Sequence, residues 1–308
     1  MEKVIVFGSL SMDMSVKCRA IPHRGETAVG GDFLTTPGGM GGNQAVMCSR
    51  MGADTFMVGK VGDDAYGREL MASLARHGVI CSNVSLSEDE HTGIGLVLRG
   101  EGDNRAVYDP GANATITYRE VRAAIHGLAG HGNVFLCQLG CDLEATMESI
   151  LCAKRNGLFT ILNATPARSI PEDVYKALDV LCINEGECEF LSGISPLDDA
   201  SREKALRFFE RRGVKSTVIT LGRRGSVTLV DGKMVKVPCF SVETVDTTGA
   251  GDAYVGELAA HIAFGGDIRE SMVYASAAAA LCVTKVGAQA AMPTFAEVEK
   301  FLAAHKAE

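Results

Sequence analysis

The residues Val245-Asp246-Thr247-Thr248-Gly249-Ala250-Gly251-Asp252-Ala253 concentrate the chemistry of this 308-residue chain. They stand between a strand-like run, Met234 to Val245, and a helical run, Ala253 to Phe264, apolar at Val255, Leu258, Ala259, Ile262 and Ala263. The two glycines permit a tight turn and leave no side chain over the amides that open the helix. Those amides carry partial positive charge and can hold an anion, phosphate being a natural one. Asp252 falls in the first helical turn, where a carboxylate can take a proton from a nucleophile facing that anion. A base beside an anion cradle is the minimum equipment for phosphoryl transfer. An ordinary Gly-rich strand-to-helix turn carries the same residues, so this stretch alone leaves both readings open.

The elements that must hold such a turn come next. Hydrophobic residues make up 46% of the chain and charged residues 22%, the balance of a globular protein with a large core. A net charge of −8 argues against a nucleic-acid partner, which would call for a basic surface. No apolar run is long enough to span a membrane. The ten cysteines are scattered, often inside apolar runs and without a CxxC pair, which reads as reduced thiols in a cytoplasmic protein.

From Thr117 onward, short apolar runs alternate with amphipathic helical stretches. Examples are Tyr118–Leu128, Asn133–Cys137, Leu143–Asn156 and Leu158–Leu162. That rhythm predicts an α/β fold of three layers, a mostly parallel central sheet covered on both faces. Val4–Gly8 reads as a first buried strand, Ser9–Asp13 as the loop that leaves it, and Met14–Ile21 as a second strand. Thr92–Arg99 and Asn104–Tyr108 read as a hairpin around Gly100-Glu101-Gly102-Asp103. The extended segments at about 13–36 and 92–109 do not suit a parallel core, so they are expected to form a small β-sheet lid on a single domain, 1–308. Four polar or Gly-rich loops (Ser9–Asp13, Pro37–Gln44, Asn184–Glu187 and Leu221–Gly225) are expected to meet the Asp252 turn at the carboxyl edge of the sheet.

No GxxxxGK[ST], GxGxxG or GxSxG motif is present, which disfavours a P-loop enzyme, a nicotinamide dehydrogenase and an α/β hydrolase. The segments that are present carry a resemblance. Asp246 to Asp252 matches the DTxGAGD signature of the ribokinase-like (PfkB) carbohydrate kinases. Pro37-Gly38-Gly39-Met40-Gly41-Gly42-Asn43-Gln44-Ala45 is similar to that family's GGKGANQA signature, departing at Met40 and Gly42. Asn184-Glu185-Gly186-Glu187 matches its NxxE motif. Further similarity runs through Gly59–Asp64, Pro110–Ala114, Thr220–Gly225 and Thr284–Gln289, in order along nearly the whole chain.

The resemblance implies an ATP-dependent sugar kinase acting on a primary hydroxyl of a pentose or related compound, with nucleoside or hexose kinases and a non-catalytic metabolite-binding protein as rivals. Asp252 would be the base, and the amides of Gly249, Ala250 and Gly251 would stabilise the transferring phosphoryl. Asn184 and Glu187 would hold magnesium through water, although capping of the following helix explains the same pair. Thr220, Gly222 and Gly225 would form the nucleotide loop, with Gly251 beside it and Ser276 near the base. Asp246, Thr248, Cys282, Lys285, Gly287 and Ala291 match the family's potassium loop. Ala291 replaces a side-chain ligand there. The lid sheets of such enzymes often pair, which implies a homodimer.

The sugar pocket departs most. Asp13, Gly39, Met40, Gly41, Gly42, Asn43 and Asp252 fit a site for hydroxyl groups, but Ser11 and Gly140 stand where ribose-binding members carry Asn and Glu. A hydroxyl left without a partner costs ~1–3 kcal/mol. The space at Gly140, with Met12 and Met40 nearby, is expected to suit a larger, less polar or deoxygenated substrate, or ribose held by waters.

Overall fold

A computed structural model describes residues 3–100, 103–130 and 133–305. Its main sheet has nine strands. In chain order, leaving out the four strands of a smaller sheet, the first seven are β1 (Lys3–Phe7), β4 (Asp54–Gly62), β5 (Ile80–Ser87), β8 (Val134–Gln138), β9 (Phe159–Asn163), β10 (Val180–Asn184) and β11 (Ser216–Thr220). The hairpin β12 (Ser226–Val230) and β13 (Lys233–Val237) completes it, in the order β13-β12-β11-β10-β9-β8-β1-β4-β5. All pairings are parallel except the two made by β12. The central strands are buried on both sides, as a parallel sheet requires: every residue of β8 is buried.

Alternation along each strand divides the core in two. Val4 and Val6 face one way, with α1 (Met40–Arg50), α2 (Ala65–Arg76), α8 (Ala250–Ala263), α9 (Ile268–Cys282) and α10 (Phe295–His305). Ile5 and Phe7 face the other, with α3 (Tyr118–Leu128), α4 (Leu143–Arg155), α5 (Glu172–Ala177), α6 (Glu185–Ser192) and α7 (Asp199–Arg211). This is the three-layer α/β arrangement that the sequence rhythm predicts.

The smaller sheet has four strands in the order β3-β2-β6-β7: β3 (Gly30–Gly38), β2 (Ser11–Cys18), β6 (Gly93–Gly100) and β7 (Asp103–Asp109). The chain passes from β1 into β2 within three residues, and the crossing is clamped. Asn113, in the short 3₁₀ turn Gly111–Thr115, accepts from the Leu10 amide at 2.8 Å and donates to the Leu10 carbonyl at 2.7 Å. The same amide group donates to the Pro110 carbonyl at 2.9 Å, tying two of the four crossings between the sheets together.

Two expectations are corrected, and one strand was not expected at all. Ser9–Asp13 is not all loop, because pairing with β3 and β6 draws Ser11 into a strand. The run from Met234 toward Val245 leaves the sheet at Val237, since β12 offers it no further partner. β5, a polar edge strand with weak alternation, escapes the periodicity altogether. Of the expected hairpin turn, Glu101 and Gly102 lie outside the described residues.

Candidate active site

Asp252 is the third residue of α8, whose N-cap is Gly249 in the left-handed conformation at φ 79°. The carboxylate is partly buried and is held at both oxygens. Asn43 Nδ2 donates to Oδ2 at 2.8 Å and Gln44 Nε2 donates to Oδ1 at 2.9 Å. Both donors come from the first turns of α1, so the starts of α1 and α8 meet over the carboxyl end of β1. Burial raises the Asp252 pKa and the negative charge of Asp13 adds to it; the two amide donors offset part, leaving it at about 6. A carboxylate so placed is mostly ionised at neutral pH and still basic enough to accept a proton.

Asp13, on β2, faces it. Its carboxyl is half-buried, accepts from Ser11 Oγ at 3.0 Å, and is pushed up by burial against that hydrogen bond. Thr36 and Gly95 flank it in register, and a Cβ on Gly38 or on Gly95 would stand 2.1 Å or 2.5 Å from its oxygens. The same sheet row ends in Tyr108, opposite Gly95. Its phenol, raised in pKa by burial, has Cys141, Ser9, Asp13 and Asp109 as neighbours. Tyr108 is a pocket residue that sequence reasoning missed; its place one residue before the Asp109–Asn113 crossing was the available signal.

Gly39 opens α1 at φ 86°, and a Cβ there would stand 2.6 Å from the Ser9 carbonyl. Gly41 and Gly42 are buried in the same turn. The room at Gly140 is not open. A Cβ built there would lie 2.8 Å from Met40 Cε and 2.9 Å from Ser9 Oγ, so the Met40 thioether fills it. Met12 is turned into the core and does not touch the pocket.

On the other side of the α8 start lies a cleft of about 700 Å³. Asn184, Thr220, Gly222, Gly225, Gly251 and Ser276, the expected nucleotide residues, all line it. Sequence reasoning missed its apolar wall, which includes Phe240 and Val242 from the segment wrongly read as strand. Of the three expected phosphoryl donors, the Ala250 amide also donates weakly to the Thr247 carbonyl at 3.3 Å.

Asn184 and Glu187 form a reciprocal capping box on α6, at 2.8 Å and 2.9 Å. Glu187 is buried, its carboxyl raised in pKa by burial, and it accepts from the Thr165 hydroxyl as well. Both of its oxygens are thus engaged, so the pair suits a cation held through water. Asn184 is exposed at the cleft. In the loop matched to potassium, Asp246 accepts from the Thr248 amide at 2.9 Å and the Gly287 amide at 3.0 Å, and Cys282 Sγ meets the Thr248 carbonyl at 3.8 Å. Lys285 turns away to Glu297 at 2.9 Å, and Ala291 is buried. Side-chain oxygens at these six positions come from Asp246 and Thr248 alone, so any cation there relies on backbone carbonyls. Among the described residues no group of three or more His, Cys, Asp and Glu side chains could hold a metal ion.

Comparison with known proteins decides the family. Residues 1–295 match the profile of the pfkB family carbohydrate kinases. The chain belongs to that family. It is 35% identical over 302 residues to the ribokinase of Bacillus subtilis, covering 98% of this chain and 100% of that protein. It is 34% identical over 299 residues to the bifunctional ribokinase/ribose-5-phosphate isomerase A of Fructilactobacillus sanfranciscensis, covering 96% of this chain and only 55% of that longer protein. Among solved structures, the ribokinase of Arabidopsis thaliana complexed with ribose and ATP is similar with a TM-score of 0.87 at 28% identity, covering 98% of both chains.

Proposed function

We propose that this PfkB kinase is an ATP-dependent pentose kinase that phosphorylates a primary hydroxyl, and that Asp252 is its base. The observation that carries the reading is the position of that carboxylate, between a pocket of hydroxyl-binding groups and a nucleotide-sized cleft. The alcohol proton passes to Asp252 as the sugar oxygen bonds to the γ-phosphorus; the bond from phosphorus to the β-bridging oxygen breaks, and ADP leaves. The free amides of Gly249 and Gly251, and the weakly engaged amide of Ala250, lie where they would meet the charge on the phosphoryl group. Asn43 Oδ1 is buried without a hydrogen-bond partner among the described residues, an acceptor that a sugar hydroxyl entering beside Asp13 would satisfy. A non-catalytic binding protein would have no use for a carboxylate held near pKa 6 at this point.

Magnesium, when bound, supplies charge neutralisation for the phosphates, and Asn184 and Glu187 would hold it through water. Potassium would rest on carbonyls of the Asp246–Ala291 loop. The smaller sheet is the lid: one face carries Asp13, Thr36 and Tyr108 toward the sugar. The opposite face exposes Leu96, Leu98 and Val107, which suits pairing with the lid of a second copy. Ten free cysteines and the absence, among the described residues, of a helix fit to cross a membrane accord with a cytoplasmic protein.

A coupled assay of ADP release across ribose, deoxyribose, hexoses and nucleosides tests the reading. Pentose-dependent turnover is the expected result. Turnover confined to nucleosides or hexoses, or none with any sugar, would overturn it.

A further inference from the structure

Gln44 follows the pocket residue Asn43, yet it does not line the pocket: it is fully buried. Its carboxamide is engaged at both ends. One Nε2 hydrogen goes to Asp252 Oδ1 at 2.9 Å and the other to Asn163 Oδ1 at 3.0 Å, while Oε1 accepts from Gln138 Nε2 at 2.6 Å. The neighbours fix its orientation. Asn163 Nδ2 donates to the Cys182 carbonyl and to Thr165 Oγ1, both at 3.2 Å, so its oxygen must point at Gln44. A flipped Gln44 would set an oxygen against the Asp252 carboxylate and against Asn163 Oδ1, and a donor against a donor on Gln138.

The bonds continue in one direction. The Thr165 hydroxyl, receiving from Asn163, donates to Glu187. Gln138 and Asn163 are register partners at the carboxyl ends of β8 and β9, and Thr165 lies two residues beyond. A chain of side chains, fully or half buried, therefore runs across the sheet edge from Asp252 at the sugar pocket to Glu187, the capping partner of the cleft residue Asn184. Satisfied members make such a network rigid, and here only the outlying Gln138 carries an oxygen, Oε1, without a partner among the described residues.

We propose that Gln44 is a positioning residue for phosphoryl transfer: it fixes the orientation of the Asp252 carboxylate and, through Asn163 and Thr165, ties it to Glu187. This rests on Asp252 being the base. The charged or titratable groups facing that carboxylate are Asp13 from β2, an acceptor when ionised, and Cys282 from α9, whose weak thiol donor is directed at the Thr248 carbonyl; neither replaces Gln44.

The experiment measures kcat and KM separately for Gln44→Met, Thr165→Val and the double variant, each as a pH profile, with Asp252→Asn alongside. A small misplacement of a catalytic group can cost about 10²-fold. Gln44→Met is therefore expected to lower kcat roughly 30-fold, keep both KM values within about threefold, and move the acidic limb of kcat upward, since a donor to the charged form is lost. Thr165→Val is expected to lower kcat about threefold, and the double variant to lose no more than Gln44→Met, the tie being already cut. Wild-type kcat in Gln44→Met, or KM rising in step with an unmoved limb, overturns the positioning role. Additive losses overturn the tie. Should Gln44→Met fail to fold, the kcat and KM of Thr165→Val decide, an unchanged kcat counting against the proposal. Activity retained in Asp252→Asn would sink the reading of the base instead, and so separates the two failures.

Discussion

Two buried aspartates at opposite ends of the main sheet have opposite electrostatics. Asp179, before β10 at the amino end, is 3% exposed and meets Lys154 and Lys215, each at 2.6 Å, with the Thr160 amide at 2.9 Å. Burial alone would raise its pKa, but the two lysines and Thr160 outweigh it and hold the carboxyl below its ordinary value. Asp252, at the carboxyl end, meets two neutral amides and another carboxylate, and rises to about 6. Cations make one carboxylate a structural fixture; their absence leaves the other able to take a proton.

Exchanging charge for amide at each end tests this contrast. Asp252→Asn is expected to lower kcat by about 10²–10⁴-fold while ATP still binds, as read by ADP release and calorimetry. Asp179→Asn is expected to leave kcat of the folded enzyme unchanged but to cost about 2–4 kcal/mol in urea unfolding, because it leaves two lysines without their counter-ion. Lost turnover there would erase the distinction.

The pH responses should differ in sign. The folded pKa of Asp179 lies below the unfolded value of 3.8, so its stabilisation is complete above that value and is lost only as pH falls further, through the folded pKa. The folded pKa of Asp252 lies above 3.8, so its ionisation weakens the fold above pH 6, and that penalty is relieved as pH falls through 6 toward 4. Accordingly kcat should fall tenfold per pH unit below about 6. Asp252→Asn should gain about 2–3 kcal/mol on wild type between pH 4 and pH 7.5, any hydrogen bond lost in the variant shifting both ends of that range equally. A stability difference that does not change with pH would contradict the raised value.

The smallest effect concerns the pocket wall. Gly140→Glu alone is expected to raise the sugar KM about tenfold, since overpacking costs about 1–3 kcal/mol. Adding Met40→Ala should recover most of it and favour ribose. An unchanged sugar ranking in the double variant would remove Met40 and Gly140 from specificity.

Much of this was legible in the sequence, for identifiable reasons. The parallel core announces itself because β8 and β10 each open with four apolar residues in a row, with helical stretches between the strands. The Asp252 turn does so because its glycines and acid are contiguous. Residues whose partners lie far along the chain were not legible. Nothing near Gln44 signals that its amide will meet Asn163 and Asp252, and Met40 filling the place at Gly140 is a packing event between α1 and the end of β8. Phe240 was hidden differently: it follows a strand pattern without a strand to pair with.

The clamp at Leu10 bears on how firmly the small sheet is seated. One asparagine grips both backbone groups of that residue and the Pro110 carbonyl, so of the four threads that join the sheets, the one entering β2 and the one leaving β7 are held to each other. Asp13 and Tyr108 lie within three residues of those two ends, so a substitution at Asn113 would reach the pocket through the backbone without altering a side chain in it.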